Sequence, residues 1–157
     1  MEQDDEHWML SAIELAQHAA EQDEVPIGAV IINHKNQLIG EGWNQPIASH
    51  DSCAHAEIIA LRQAGIHLHN YRLLGTTLYS TLEPCIMCAG AMIHARIKRL
   101  VFATPDLKAG GVISVCQVLD LPQLNHRVQY EYGLCAELSS QLLKNFFKQK
   151  RALNQVA

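Results

Sequence analysis

The sequence lacks the features that mark exported, membrane-spanning or disulfide-stabilised proteins. Its longest apolar runs, such as IGAVII, are far shorter than a bilayer span, and its first residues do not show the basic and then apolar pattern of an export signal. Five cysteines, an odd number, indicate free thiols or metal ligands rather than a disulfide framework. We therefore expect a cytoplasmic protein that has no membrane partner.

Lysine and arginine are absent from the first 24 residues, which hold eight of the sixteen acids. The net charge of −4 is therefore unevenly distributed, with twelve bases against eight acids in the rest of the chain. An acidic first helix that serves only solubility would explain this asymmetry. The overall negative charge therefore does not exclude an acidic partner such as a nucleic acid.

The chain also has no repeat, low-complexity tract or proline-rich linker, so residues 1–157 are expected to form one domain. Hydrophobic spacing predicts helices over 6–22, 54–64, 84–96 and 136–153. It predicts strands over 27–33, 37–43, 76–82, 99–103 and 128–132. The first two strands form a hairpin, while the later strand-helix-strand units need parallel pairing. We predict an α/β fold, a three-layer α/β/α sandwich around a mixed five-stranded sheet.

Two cysteines lie three residues apart in EPCIMC, at the start of a predicted helix. Cys85 and Cys88 would therefore face the same side, where the helix dipole favours the thiolate form that binds metals. A redox pair or two buried thiols would show the same spacing. His55, which follows a loop at the start of another predicted helix, would supply a third ligand if the two helices lie side by side.

Two cysteines and one histidine leave one position of a tetrahedral zinc site free for water, as in catalytic zinc sites. Zinc acidifies such a water, and Glu57, two residues after His55, could take its proton. The alternative is a solvated carboxylate that only favours the start of the helix. Cys53 leaves a further alternative, a closed structural site with three cysteines and one histidine. We expect Cys53 instead to pack against the core as a small apolar side chain.

The residues HAE followed by PCIMC resemble the signature of the zinc-dependent nucleoside and nucleobase deaminases. The resemblance is closest to the bacterial tRNA-specific adenosine deaminases, which convert the wobble adenosine of an anticodon to inosine. It extends over nearly the whole chain in VPIGAVI, GEGWN, AHAEIIALRQ, NYRL, TLYSTLEPCIMCAGAMIHARI, NHRV and FFKQKR. It implies a cytidine deaminase-like fold, one zinc ion per subunit, no nucleotide cofactor and a homodimer, with the apolar CAGAMIHA helix as a candidate contact surface.

The resemblance also implies roles for individual residues. His55, Cys85 and Cys88 would bind zinc, and Glu57 would be the catalytic proton shuttle. The residues that it places around the substrate are Asn44 on the nucleoside, Ile27, Val30 and Leu82 in the apolar pocket wall, and Asp106 and Lys108 facing the anticodon loop. The same loop departs from the family pattern, with Pro105 in place of the usual basic residue and with Val112 and Ile113 where small residues are common.

The predicted last helix alternates aromatic and basic residues in KNFFKQKR. We predict that it contacts the tRNA anticodon stem-loop through Lys144, Phe147, Lys148, Lys150 and Arg151. A helix whose phenylalanines pack inward and whose cations complement the helix dipole would have the same sequence. Arg96, Lys98 and Arg99 form a second basic stretch, which an exposed helix end would also explain.

Wobble adenosine deamination is therefore the predicted function. The second hypothesis is a deaminase of free bases or nucleosides, such as cytosine, cytidine or guanine, on the same fold. The third is a non-catalytic, zinc-stabilised RNA-binding module. Glu57 argues against the third hypothesis, because a module without catalysis needs no proton shuttle. The basic last helix argues against the second.

Overall fold

A computed structural model describes residues 4–156 of the chain. Its helices are α1 (Asp5–Glu21), α2 (Pro46–Ser49), α3 (Ala56–Leu68), α4 (Ile86–Ala95) and α5 (Ala136–Val156). Its strands are β1 (Gly28–Ile32), β2 (Leu38–Trp43), β3 (Thr77–Leu82), β4 (Arg99–Thr104) and β5 (Gln129–Tyr132). A 3-10 turn, Val118–Asp120, lies between β4 and β5.

The strands form one sheet in the order β2-β1-β3-β4-β5. β1 pairs antiparallel with both β2 and β3, whereas β3, β4 and β5 are parallel. Alternate residues of β1 serve opposite faces: Ala29 and Ile31 pack with α3 and α4, while Val30 and Ile32 pack with α1. The predicted mixed five-stranded sheet and three-layer sandwich are confirmed.

Several helix boundaries differ from the prediction by one to four residues, and one helix was not predicted. α3 continues through Gly65 to Leu68, and it ends only at His69, whose φ of 51° is left-handed. α4 begins at Ile86 because Cys85, in extended conformation, is its N-cap, so Pro84 lies outside the helix. The short helix α2 was not predicted, since four residues are too few to show a period.

The first helix and the basic stretch are joined by a buried ion pair. Arg99 is only 6% exposed, and its guanidinium donates to both oxygens of the Asp5 carboxylate, at 2.9 and 2.6 Å. Tyr79 donates to the same carboxylate at 2.6 Å, and Glu131 accepts from Arg99 at 3.2 Å. Arg99 therefore does not belong to an exposed basic surface, and Asp5 does more than keep the protein soluble.

Within residues 4–156, every helix is too short or too polar to cross a lipid bilayer.

α3 lies directly on β2 without a gap. A Cβ atom added at Gly42 would lie 2.6 Å from the carbonyl oxygen of Ala56, in the first turn of α3. This close approach fixes the height of the helix start above the sheet, and with it the position of His55.

We therefore predict that Gly42→Ala displaces α3 and lowers the free energy of unfolding by about 1 to 3 kcal/mol, as overpacking does. Gly90→Ala is the matched control, because Gly90 lies inside α4 with open space at its Cβ position. It should raise stability by about 0.5 to 1 kcal/mol, the usual gain from alanine in a helix. Urea denaturation of both variants checks this, and equal effects would contradict the close approach.

Candidate metal and catalytic site

The start of α3 presents two of the predicted site residues. His55 is the N-cap of the helix, and its carbonyl accepts the N–H of Ile59 at 3.0 Å. A tight turn precedes it, in which the Asp51 side chain accepts the N–H of Cys53 at 2.9 Å. Glu57 follows in the first turn and points into the protein.

The start of α4 presents the two thiols. Cys85 is the N-cap and Cys88 follows three residues later, fully buried. Each sulfur lies 3.6 Å from Nδ1 of His55. Zinc distances of about 2.3 Å to sulfur and about 2.0 Å to nitrogen put two such atoms about 3.5 Å apart around a tetrahedral ion. The cluster therefore has the donors and the spacing of a metal site.

The two thiols differ strongly in acidity. Hydrogen bonding from Cys88 lowers the pKa of Cys85 to about 4, against the opposing effect of burial. Hydrogen bonding to Cys85, together with burial, raises the pKa of Cys88. Cys85 is therefore a thiolate at neutral pH, and a cation bound at the cluster would favour the thiolate of Cys88 as well.

Glu57 is 4% exposed, so it is not the solvated carboxylate of the alternative interpretation. Burial raises its pKa, although a backbone hydrogen bond, Cys88 and His55 partly oppose this. Its Oε1 is buried and has no hydrogen-bond partner. Burying a carboxylate oxygen without a partner costs free energy, so the site must use this oxygen for something other than stability.

Asn44 is the second side chain with such an oxygen. It is 7% exposed, and its Oδ1 is buried without a partner. Among residues 4–156, Asn44 Oδ1 and Glu57 Oε1 are the two buried side-chain atoms in this condition. Asn44 follows β2 two residues beyond Gly42, which touches Ala56, so it lies beside the start of α3. Its N–H donates to Ile27 at 3.0 Å, which brings Ile27 to the same place.

The predicted pocket wall needs one correction. Ile27 packs against the cluster that contains Cys88, and Leu82 ends β3 on the same side as Leu78 of that cluster. Val30 is fully buried in the other cluster, with Met9 and Ala12 of α1. Since neighbouring residues of a strand point to opposite faces, Val30 faces away from the site.

The loop after β4 carries Asp106 and Lys108. Asp106 accepts the N–H groups of Lys108 and Ala109 at 3.1 and 3.2 Å, so its side chain shapes the loop. Lys108 is exposed. The loop is tied to the cysteine segment, because Gly110 pairs with Cys85 and the N–H of Gly111 donates to Pro84 at 2.7 Å.

Sequence reasoning missed two buried carboxylates beside the site. Glu83 accepts hydrogen bonds from the loop that carries Asp106. Burial alone would raise its pKa, but these bonds outweigh burial and lower it. Glu24 accepts the N–H groups of Ile47 and Ala48 at 3.2 and 2.8 Å, just after Asn44. The available signal was an acid among apolar residues within two positions of a proline, in LEP and EVP.

α5 brings some of its predicted residues close to the site and not others. A groove of about 240 Å³ between α5 and the end of β4 is lined by Pro105, Lys144, Phe147 and Arg151, among others. Thr104, at the same groove, pairs with Leu82, so the groove opens at the sheet edge where the cysteines lie.

The two other α5 cations that were predicted to contact RNA, Lys148 and Lys150, do not line this groove. Lys150 forms an ion pair with Asp23 and lies over the ring of Phe146 at 5.6 Å, so it is not a free cation. Lys148 is exposed and does not line the groove.

Cys53 is half-buried and lies outside the donor cluster of His55, Cys85 and Cys88. All five cysteines are free thiols. The closed site with three cysteines is therefore not the arrangement in this structure.

The chain is similar to known deaminases over most of its length. The model of the family described as MafB19-like deaminase matches residues 3–151. A tRNA-specific adenosine deaminase of Haemophilus influenzae is 49% identical over 147 residues, which cover 94% of this chain and 85% of that protein. The protein of that name from Aquifex aeolicus is 42% identical over 146 residues, covering 93% and 95%.

Solved structures show the same similarity. A structure from work on A-to-I editing by tRNA:A34 deaminases at the wobble position has a TM-score of 0.84 and 40% identity, and the match covers 87% of this chain and 99% of that one. A guanine deaminase of Nitrosomonas europaea has a TM-score of 0.79 and 25% identity, covering 90% and 83%.

We predict that Cys88→Ser abolishes stoichiometric metal binding, because a neutral hydroxyl replaces a thiolate ligand. Cys53→Ser is the matched control, since Cys53 lies outside the cluster, and it should bind as much metal as the unchanged protein. Elemental analysis after reconstitution with zinc checks both variants. Loss of metal from Cys53→Ser would contradict the assignment and would favour a closed site with four protein ligands.

Proposed function

Because the chain belongs to the family of the tRNA-specific adenosine deaminases, we propose that it hydrolyses the wobble adenosine of a tRNA anticodon to inosine. The observation that carries this proposal is the buried Glu57 carboxylate, with an oxygen that has no partner, beside the His55, Cys85 and Cys88 donors. A non-catalytic RNA-binding module would gain nothing from that costly arrangement. We also propose that the reaction takes place in the cytoplasm.

We infer that the metal is zinc, one ion per chain, because two thiolates and one imidazole are soft and borderline donors that suit zinc. His55, Cys85 and Cys88 would hold the ion, and zinc bound there would supply the Lewis acidity that makes a water nucleophilic near neutral pH. The reaction also requires proton transfer and positioning of the adenosine, and side chains of this protein provide both.

Glu57 provides the proton transfer. It takes a proton from the attacking water, whose oxygen bonds to C6 of the adenine. It gives that proton to the ring nitrogen and then takes the second proton from the oxygen now bonded to C6. It passes this second proton to the amino group, and the C6–N bond breaks as the C6 carbonyl forms, so that one water is consumed and one ammonia leaves. A carboxylate that must both accept and return a proton works best when its pKa lies nearer neutrality, and burial shifts the pKa of Glu57 in that direction.

Substrate positioning falls to the side chains around Glu57. The amide of Asn44 would bind the nucleoside through its unpartnered Oδ1, and Ile27 and Leu82 would contact the base. A base stacked within the anticodon loop cannot reach this pocket, so it must be turned out of the stack. The groove beside α5, with Lys144, Phe147 and Arg151, would bind flanking nucleotides by charge and stacking. Lys148 and the 106–108 loop stay predicted RNA contacts.

A free nucleobase or nucleoside as substrate is the second candidate, since a guanine deaminase shares the fold. The basic groove beside α5 and the higher identity to tRNA deaminases favour RNA.

We predict that the zinc-loaded protein converts adenosine to inosine in an anticodon stem-loop and leaves free adenosine, cytidine and guanine unchanged. Nucleoside analysis of the digested products by mass spectrometry measures both. Deamination of a free compound at a rate that matches the stem-loop would favour the second candidate.

Glu57→Ala is the matched control for chemistry in the same assay. It should bind zinc and stem-loop normally, since the metal donors and the α5 groove are unaltered. Its rate should fall by about 10⁴ or more, because general acid-base groups contribute about 10² to 10⁴ and this one residue would serve several transfers. A rate within about tenfold of the unchanged protein would refute the role of Glu57.

We also propose that the chain forms a homodimer through the outer faces of α3 and α4. A groove of about 930 Å³ lies there, lined mostly by apolar side chains, among them Ile58, Leu61, Ile66, Tyr71 and Ala91. Ile66 and Tyr71 are each 75% exposed in the single chain. Two copies of one patch related by a two-fold axis can cover each other.

Light scattering should therefore give the mass of a dimer at micromolar concentration. Ile66→Glu should shift this mass to that of a monomer, because the interface would bury an unpaired charge. Leu10→Glu is the matched control, since Leu10 is an exposed apolar residue of α1, away from the groove. A monomer mass for the unchanged protein would contradict the proposal.

A further inference from the structure

Glu83 is a buried carboxylate for which the proposed chemistry has no use. It lies between β3 and Pro84, two residues before Cys85, and it is only 2% exposed. It is not one of the donors of the metal cluster. Burying a carboxylate is costly unless its oxygens are fully hydrogen-bonded, so its partners indicate its purpose.

Within residues 4–156, every hydrogen bond that the Glu83 carboxylate accepts comes from the loop after β4. Oε1 accepts the N–H of Asp106 at 3.0 Å and the hydroxyl of Ser114. Oε2 accepts the N–H groups of Val112, Ile113 and Ser114, at 3.0, 2.8 and 3.0 Å. Five donors from the two ends of one loop thus meet on a single carboxylate.

The middle of this loop is packed tightly against the same carboxylate. A Cβ atom added at Gly110 would lie 2.2 Å from the carboxyl group of Glu83, so any larger residue there would displace this carboxylate from its hydrogen-bond donors. Gly110 also pairs with the backbone of Cys85. Glu83 therefore fixes the base of the loop directly on the segment that supplies the two thiols.

The tip of the loop, in contrast, projects into solvent. Leu107 is exposed, and Lys108 beside it is exposed as well. Pro105, at the start of the loop, lines the α5 groove together with Lys144 and Phe147. One face of the loop is thus anchored at the metal cluster while the other borders the surface assigned above to RNA.

We propose that Glu83 is a positioning residue for RNA recognition: it holds loop 105–114 at a fixed place relative to the pocket, so that RNA bound by the loop delivers its adenosine to the site. This inference rests on the proposed function. A loop that contacts only RNA outside the reacting base binds ground state and transition state equally. Releasing the loop therefore weakens RNA binding and raises KM, while kcat changes little.

Glu83→Gln tests this, because it keeps the shape of the side chain and replaces one acceptor oxygen with an amide that faces N–H donors. We expect the amides of 112–114 to exchange hydrogen at least about tenfold faster. The Kd for a stem-loop, from fluorescence anisotropy, and KM should rise about tenfold, with kcat within about threefold and zinc content unchanged.

Two further variants separate positioning from general stability. Ser114→Ala removes one of the five donors and should raise Kd by a smaller factor, about threefold, which keeps the inference testable if Glu83→Gln folds poorly. Tyr79→Phe is the control. Tyr79 lies in β3, the strand that precedes Glu83, and its side chain donates a buried hydrogen bond to Asp5 and packs in the cluster with α1. The substitution should lower the urea midpoint and leave Kd unchanged.

Faster amide exchange with Kd and KM unchanged would overturn the inference, because Glu83 would then serve only stability. Loss of zinc or of kcat at unchanged Kd would also overturn it, since Glu83 would then act on the cysteine segment. Kd requires no turnover, so it decides the inference independently of catalysis. Absence of inosine in a stem-loop that the unchanged protein binds would refute the proposed function instead.

Discussion

The site depends on two helix N-termini that lie side by side on one face of the sheet. α3 is pressed against β2 at Gly42, and α4 follows β3 after a two-residue link and its N-cap, Cys85. Both helices therefore begin at the same edge of the sheet, and their positive dipole ends meet there. Hydrogen bonding from Cys88 lowers the pKa of Cys85 there, and the short distance to His55 brings the metal donors together.

Around this centre, buried carboxylates accept hydrogen bonds from the backbone N–H groups of two loops and hold these loops in place. Glu24 holds the turn after Asn44, and Glu83 holds the loop after β4. Glu57 differs from both, because its Oε1 has no partner. The same residue type thus serves structure where N–H donors surround it and remains available for chemistry where they do not.

The charged side chains also divide into those that hold the fold together and those that remain available at the surface. The acidic first helix contributes Asp5 to a buried pair with Arg99, which joins α1 to β4 beneath the sheet. Asp23 similarly forms an ion pair with Lys150 of α5. The cations that line the open groove are Lys144 and Arg151, at the sheet edge where the metal donors lie. A net charge of −4 is therefore compatible with a surface that binds RNA.

Local patterns in the sequence were enough to predict most of the elements, the mixed sheet and the pairing of Cys85 with Cys88, because helical period, strand alternation and ligand spacing are properties of neighbouring residues. His55 lies 30 positions before Cys85, so its place beside the two thiols followed from the family resemblance and from the condition that the two helices lie side by side, which the tertiary structure meets. Tertiary structure alone decided that Val30 faces away from the site, since alternation does not say which face is which. It alone paired Arg99 with Asp5, 94 positions away, and Glu83 with a loop 23 to 31 positions away. The partner of a buried charge depends on which distant segments the fold brings together, and the spacing of neighbouring residues in the sequence does not contain that information.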